Sequence, residues 1–276
     1  MELTLKKLVA TILSVGLAIT SLFTTDAYAA NEQPKKEGYR VVEKNKEITD
    51  LNILFENAKK RKSDLNEEQL EKLASKAELK ANSKKSNSPD PKMETFETAQ
   101  LLEVREYESG IVEEDYAVTT FVIVDEPTTT VSAASSEGGS QYRYKWDSTL
   151  GVKAYSTVYY RIVSDPRGSR HWDITSVSGG WQVEESTYIL SGMKVVVGQN
   201  GWSYWGGTVS GQTITKYPSS RTYSYTVPDS WVPVVASGSF SPTGSGVGTH
   251  STVTIKRDSP YNTSSWTLSL TNNLGS

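Results

Sequence analysis

Lys194-Val195-Val196-Val197-Gly198-Gln199-Asn200-Gly201-Trp202-Ser203-Tyr204-Trp205-Gly206-Gly207 is the stretch on which the architecture of this chain turns. A run of β-branched residues leads into Asn-Gly, and aromatics follow. Asn-Gly is the strongest short hairpin signal, because a type I′ turn needs positive φ at both central residues. The stretch therefore predicts a strand over Lys194–Gln199, a two-residue turn at Asn200-Gly201 and a returning strand over Trp202–Val209. Ser210-Gly211 turns the chain again into Gln212–Tyr217. Further strands are expected at Tyr223–Val227 and Trp231–Val235, and a last hairpin pairs Ser251–Lys256 with Trp266–Leu270.

Short strands with turn signals every 8–12 residues are the pattern of a sandwich or barrel. Residues 140–276 are accordingly expected to form an antiparallel β-sandwich, or a barrel-like variant, of immunoglobulin-like type. All seven tryptophans lie there, in a background rich in Ser and Thr. Gly151–Val158 is echoed by Gly246–Val253. Each copy is followed by a basic residue, a Pro-containing turn and a tryptophan, Trp172 and Trp266 respectively. Both tryptophans are expected on the apolar face.

Upstream, residues 93–139 read as a long hairpin, Thr95–Tyr107 with Ile111–Val124 around Ser109-Gly110, followed by a Ser/Thr-rich connector at Pro127–Gly139. Residues 30–92 form a short charged α-helical leader and linker. Asn66 and Gln69 make a capping box, with Leu65 and Leu70 at the staple positions. Leu70, Leu73, Ala74 and Ala77 continue at helical spacing. A second helix is expected over Thr49–Lys60, with Leu51, Leu54, Phe55 and Ala58 on one stripe. Those stripes are too narrow to fold alone, so the helices either dock or stay mobile. Ser83–Lys92 is a linker by composition.

Residues 1–29 read as a signal peptide: Lys6 and Lys7, an apolar run from Leu8 to Phe23, then Ala27-Tyr28-Ala29 as a small-x-small cleavage site. The run is short of the ~20 residues a membrane span needs. The expectation is a secreted, extracellular protein of Gram-positive style, cleaved after Ala29, with no stable transmembrane anchor afterwards.

The chain carries 29 Lys+Arg, 32 Asp+Glu, two His and no Cys in 276 residues. The absence of cysteine removes disulfides, thiolate metal sites and a cysteine nucleophile. No cofactor, metal or nucleic-acid partner is expected. Residues 30–139 hold 23 acidic against 16 basic residues, and 140–276 hold 7 against 11. The acidic leader reads first as a solvated charged stalk; the alternative is an intramolecular contact with the basic β domain, released by cutting near Pro89-Asp90-Pro91.

Catalytic groups are thin. Asp147, Asp165, Asp173, Glu184, Glu185, Asp229 and Asp258 are the acids of the β domain, and most sit at turn signals. His171 and Asp173 share a strand face opposite Trp172, as an oriented imidazole would require, but no nucleophile elbow accompanies them. Both His171 and His250 read as polar-face residues. No catalytic residue is assigned, and a non-enzymatic protein is favoured.

The candidate ligand site is aromatic. Trp202 and Tyr204 share a face in a strand, Trp205 takes the other, and Trp181 after Gly179-Gly180 joins the platform. Flat rings among Ser, Asn and Gln suit sugars. The expected function is a binding module for a cell-envelope or extracellular polysaccharide, or another surface. The alternatives are a membrane-active, pore-forming-like β protein, from the alternation in Thr213–Val227, and a secreted hydrolase using His171 and aspartates.

Overall fold

The computed structural model describes residues 38–73, 75–83, 92–125, 150–183, 188–236, 240–241, 244, 246–257 and 264–274. Residues 1–29, expected as a signal peptide, 84–91 of the expected linker, 127–139 of the expected connector, Asp147, Glu184, Glu185, Asp258 and part of the glycine-rich 238–248 lie outside the described residues. Among the described residues, no helix is long and apolar enough to cross a membrane.

The fold is mainly β, with two antiparallel sheets and few helices. In chain order come β1 (Tyr39–Lys44), α1 (Leu51–Lys59), α2 (Glu67–Leu73), β2 (Lys76–Ser83), β3 (Lys92–Tyr107), β4 (Val112–Asp125), β5 (Leu150–Ser164) and β6 (Arg170–Val183). They are followed by β7 (Tyr188–Gln199), β8 (Gly201–Ser203), β9 (Thr208–Val209), β10 (Thr213–Lys216), β11 (Thr222–Thr226), β12 (Val234–Ala236), β13 (Val247–Arg257) and β14 (Ser265–Asn273). The nine-stranded sheet runs β1-β3-β4-β5-β6-β12-β8-β9, with β11 also paired to β6. The five-stranded sheet runs β10-β7-β13-β14-β2.

One apolar cluster draws on both sheets. Tyr116, Val118, Val122 and Val124 of β4 meet it together with Val195 and Val197 of β7, Val253 of β13, and Trp266 and Leu268 of β14. Side chains alternate across a strand, so the other face of β4 carries Glu113, Asp115, Thr119, Phe121 and Ile123 and is here called the outer face. The echoed hairpins fall one in each sheet, β5–β6 and β13–β14. Trp172 and Trp266 both pack on the shared core.

The charged segment does not stand off as a solvated stalk. Asp50 caps α1, its Oδ1 accepting from Asn52 N at 2.8 Å and Ile53 N at 3.3 Å. The apolar stripe of α1, Leu54, Phe55 and Ala58, packs onto Phe121 and Ile123 of the outer face. The capping box at α2 is formed in both directions: Gln69 N donates to Asn66 Oδ1 at 2.8 Å, and Asn66 N to Gln69 Oε1 at 3.0 Å. The turn between the helices is laced to β3, where Thr98 Oγ1 donates to Lys62 O and Leu101 N to Asp64 Oδ2. The helix expected to run on to Ala77 stops at Leu73, and Lys76–Ser83 becomes β2, paired with β14. Leu70 and Leu73 meet the core at helical spacing, whereas Ala77 and Leu79 meet it at spacing two. Pairing there satisfies a β14 edge that would otherwise be bare.

The hairpin expected at Asn200-Gly201 is not formed. β7 pairs with β10 and β13, while β8 pairs with β9 and β12 in the other sheet. Neither Asn200 nor Gly201 adopts the positive φ a type I′ turn requires. Asn200 uses its side chain instead: Oδ1 accepts from Gln212 N at 2.9 Å and Nδ2 donates to Gly244 O at 2.6 Å. Gly201 is demanded by space, since a Cβ there would lie 2.3 Å from Val235 O. The pair is a crossing from one sheet to the other.

Candidate functional site

A cavity of about 740 Å³ opens on the outer face of the nine-stranded sheet, at the end away from α1. Its floor is Arg161 and Val163 of β5 and Asp173 and Thr175 of β6. One wall is the turn Tyr204-Trp205, and the other is the segment 226–233 with Pro228, Asp229 and Trp231.

The aromatic turn is built from short-range bonds. Ser203 Oγ accepts from Trp205 N at 3.1 Å and donates to Gly206 O at 3.0 Å. Gly206 and Gly207, with φ of 90° and 85°, provide the left-handed backbone that closes it. Tyr204 N donates to Pro233 O at 2.9 Å and so ties one wall to the other. The Trp205 ring meets Tyr204 edge-on at 4.4 Å, and Tyr204 meets His171 edge-on at 4.8 Å. Tyr204 also packs on the small cluster of Tyr107, Ile111 and Val163.

The opposite wall is clamped by two amides. Gln199, fully buried, accepts from Ile174 N through Oε1 at 2.5 Å, and its Nε2 donates to Val232 O at 3.0 Å and Asp173 Oδ1 at 3.2 Å. Gln212 holds the same peptide from the other side, Oε1 accepting from Val232 N at 2.6 Å and Nε2 donating to Val232 O at 3.0 Å.

Beneath the cavity runs a ladder of charge across the strands. Arg161 Nε lies 3.0 Å from Asp115 Oδ1 and 3.4 Å from Glu113 Oε2, and Nη1 lies 3.8 Å from Asp173 Oδ2. Arg105 pairs with Asp115, with Glu113 at 3.2 Å and with Glu103 at 2.9 Å, and Lys44 reaches Glu103 at 2.8 Å. Glu113 has no exposed surface and also accepts from Tyr107 OH at 2.8 Å. A buried carboxylate persists only with such partners. Burial, then the negative charges of Asp165 and Glu113, hold the Tyr204 phenol above its ordinary value.

The residues singled out in the sequence separate. Tyr204 and Trp205 come together in the cavity wall, in a turn rather than on opposite faces of a strand. Trp202 is 56% exposed on β8 and does not line the cavity. Trp181 is corrected to a core residue: it is 2% exposed and its ring packs 5.4 Å from Tyr223, so no face is left for a ligand. His171, expected on a polar face, is 5% exposed beneath Tyr204, and loss of solvation lowers its pKa. His250 Nδ1 lies 2.7 Å from Thr271 Oγ1; burial lowers its pKa, with the Lys194 charge adding to that.

The sequence gives no place in the candidate ligand site to Arg161, Asp229, Trp231 or the two clamping glutamines. Asp229 sits in a turn, as its sequence suggests, whereas Trp231, expected to begin a strand, lies in the loop before β12. Buried amides such as Gln199 carry no sequence signal, because their partners are backbone groups distant in the chain. No family model matches this chain, and neither a curated protein nor a solved structure matches it.

Proposed function

We propose that this chain is a secreted, non-enzymatic β-sandwich module that holds a cell-envelope or extracellular glycan in the cleft between Tyr204-Trp205 and Trp231. The observation that carries the reading is the cavity itself. Three aromatic rings stand above a floor of Thr175, Asp173 and Arg161. Sugar rings offer C–H faces to aromatics and hydroxyls to polar side chains. A core shared by two antiparallel sheets supports the sandwich, and the signal-like residues 1–29 support export.

Asp173 supports a binding role over hydrolysis. It accepts from Gln199 at 3.2 Å and lies 3.8 Å from Arg161, so its oxygens are engaged in holding the cavity floor and wall.

The test is retention of purified 30–276 on isolated Gram-positive cell walls and a panel of insoluble polysaccharides, alongside Trp205→Ala and Trp231→Ala. The native chain is expected to be retained, and each variant to bind about ten-fold more weakly while keeping the native circular dichroism. Unchanged retention by both variants overturns the site, and no retention on any polymer overturns the function. Dye release from liposomes or release of reducing ends would transfer the assignment to the membrane-active or hydrolytic alternative.

A further inference from the structure

We infer that the cleft selects glycan units bearing a free, protonated amine over neutral or acidic sugars, an inference that rests on the glycan reading above. The lining contains three charged side chains, Arg161, Asp173 and Asp229. The one cation is already engaged, by Asp115 at 3.0 Å, Glu113 at 3.4 Å and Asp173 at 3.8 Å. Asp229 stands exposed on the opposite wall and has no hydrogen-bond or ion-pair partner among the described residues. A ligand entering the cleft therefore meets an exposed carboxylate with no counter-charge from the described residues, and a cation already held by three carboxylates.

The aromatic walls point the same way. The faces of Tyr204, Trp205 and Trp231 carry the negative side of the ring quadrupole and attract ammonium groups. An uronic acid or a phosphate would be repelled by Asp229 and by the ring faces. A neutral sugar would use the rings and leave Asp229 without a counter-charge. An amino sugar with its nitrogen unacetylated uses both.

The experiment is a tryptophan-fluorescence titration of native 30–276 with a glucosamine tetramer and with the N-acetylglucosamine tetramer, in mildly acidic buffer where the sugar amine is charged. The deacetylated tetramer is expected to bind about ten-fold more tightly. Asp229→Asn is expected to weaken that binding on the order of five-fold and to leave the acetylated tetramer unaffected. Glu71→Gln removes the same charge from the exposed surface of α2 and is expected to change neither. Equal affinity for the two tetramers overturns the inference and leaves the glycan reading standing, as does equal loss in Asp229→Asn and Glu71→Gln. If neither tetramer titrates the fluorescence and no polymer retains the chain, both fail together.

Discussion

At one end of the outer face of the nine-stranded sheet, α1 lays Leu54, Phe55 and Ala58 directly onto Phe121 and Ile123. At the other end, the Tyr204-Trp205 turn and the 226–233 segment stand above Arg161, Val163 and Asp173 and leave about 740 Å³ between them. β5 runs beneath both, with Tyr155 beside the α1 cluster and Arg161 and Val163 under the cavity, and β4 lies next to it. What differs is the alternation pattern along each strand. Phe121 and Ile123 in β4 offer a helix an apolar bed. Eight residues earlier the same face presents Glu113 and Asp115, which Arg105 and Arg161 neutralise. A helix laid over that ladder would desolvate more charge than its packing repays. Loops held at a distance by backbone bonds leave the ladder partly wet, and the cleft is the result.

The contrast can be broken most heavily at the closed end. Phe55→Ala removes the ring that meets Phe96 at 5.5 Å and Phe121 at 5.2 Å and lies under Lys153. It is expected to cost about 3–5 kcal/mol in urea unfolding while leaving retention on glycan intact at low denaturant. A loss of retention from this substitution would show that the two ends are not independent.

At the open end, Gln199→Ala leaves Ile174 N without its buried acceptor and half-releases Val232. The expected cost is about 1–3 kcal/mol. Hydrogen exchange should rise at Ile174 and Val232 but not in α1, and a uniform rise would instead mean global loosening.

The smallest effect belongs to the space between the sheets. Glu97 Oε1 accepts from Ser75 Oγ at 2.6 Å and Thr120 Oγ1 at 2.9 Å, and burial pushes its pKa up. A raised folded value means the protonated form is favoured by folding. That contribution is complete below the ordinary carboxyl range near ~4.3 and is lost as pH rises through the folded value. Glu97→Gln keeps the acceptor and removes the titration. It is expected to be more stable than the native chain at neutral pH and to flatten the urea midpoint against pH above the ordinary carboxyl range. A variant less stable than native at neutral pH would mean that the ionised carboxylate is favoured there.

Much of the fold was legible where the cause is local. The Asn66–Gln69 capping box is closed by residues three apart, and the α1 stripe and the β3–β4 hairpin each follow from a single period in the sequence. Asn200-Gly201 misled because the hairpin signal assumes that the turn answers only to its own φ preferences. Here Gly244, Gln212 and Val235 compete for the pair, and no local pattern records them. The site was half legible for the same reason. Tyr204 and Trp205 announced themselves as aromatics beside glycines. Trp231 and Asp229 reach the same cavity only because Gln199 and Gln212 clamp a peptide some twenty or more residues further along. Trp181 looked like part of a platform because its neighbours are glycines. Those glycines make room for neighbours, since a Cβ at Gly179 would lie 2.4 Å from the Tyr223 hydroxyl and one at Gly180 would lie 2.6 Å from Arg221 O.

The pairing of β2 with β14 has a consequence in time. Asn82 Nδ2 bonds Thr267 Oγ1 across 185 positions of sequence, and β14 lies between β13 and β2. A chain emerging N-terminus first, from a ribosome or a translocation channel, presents β2 long before its partner strand exists. Closing so long a loop is entropically late and kinetically slow. The five-stranded sheet therefore cannot be completed strand by strand during emergence, and its last joint waits for β14 to arrive.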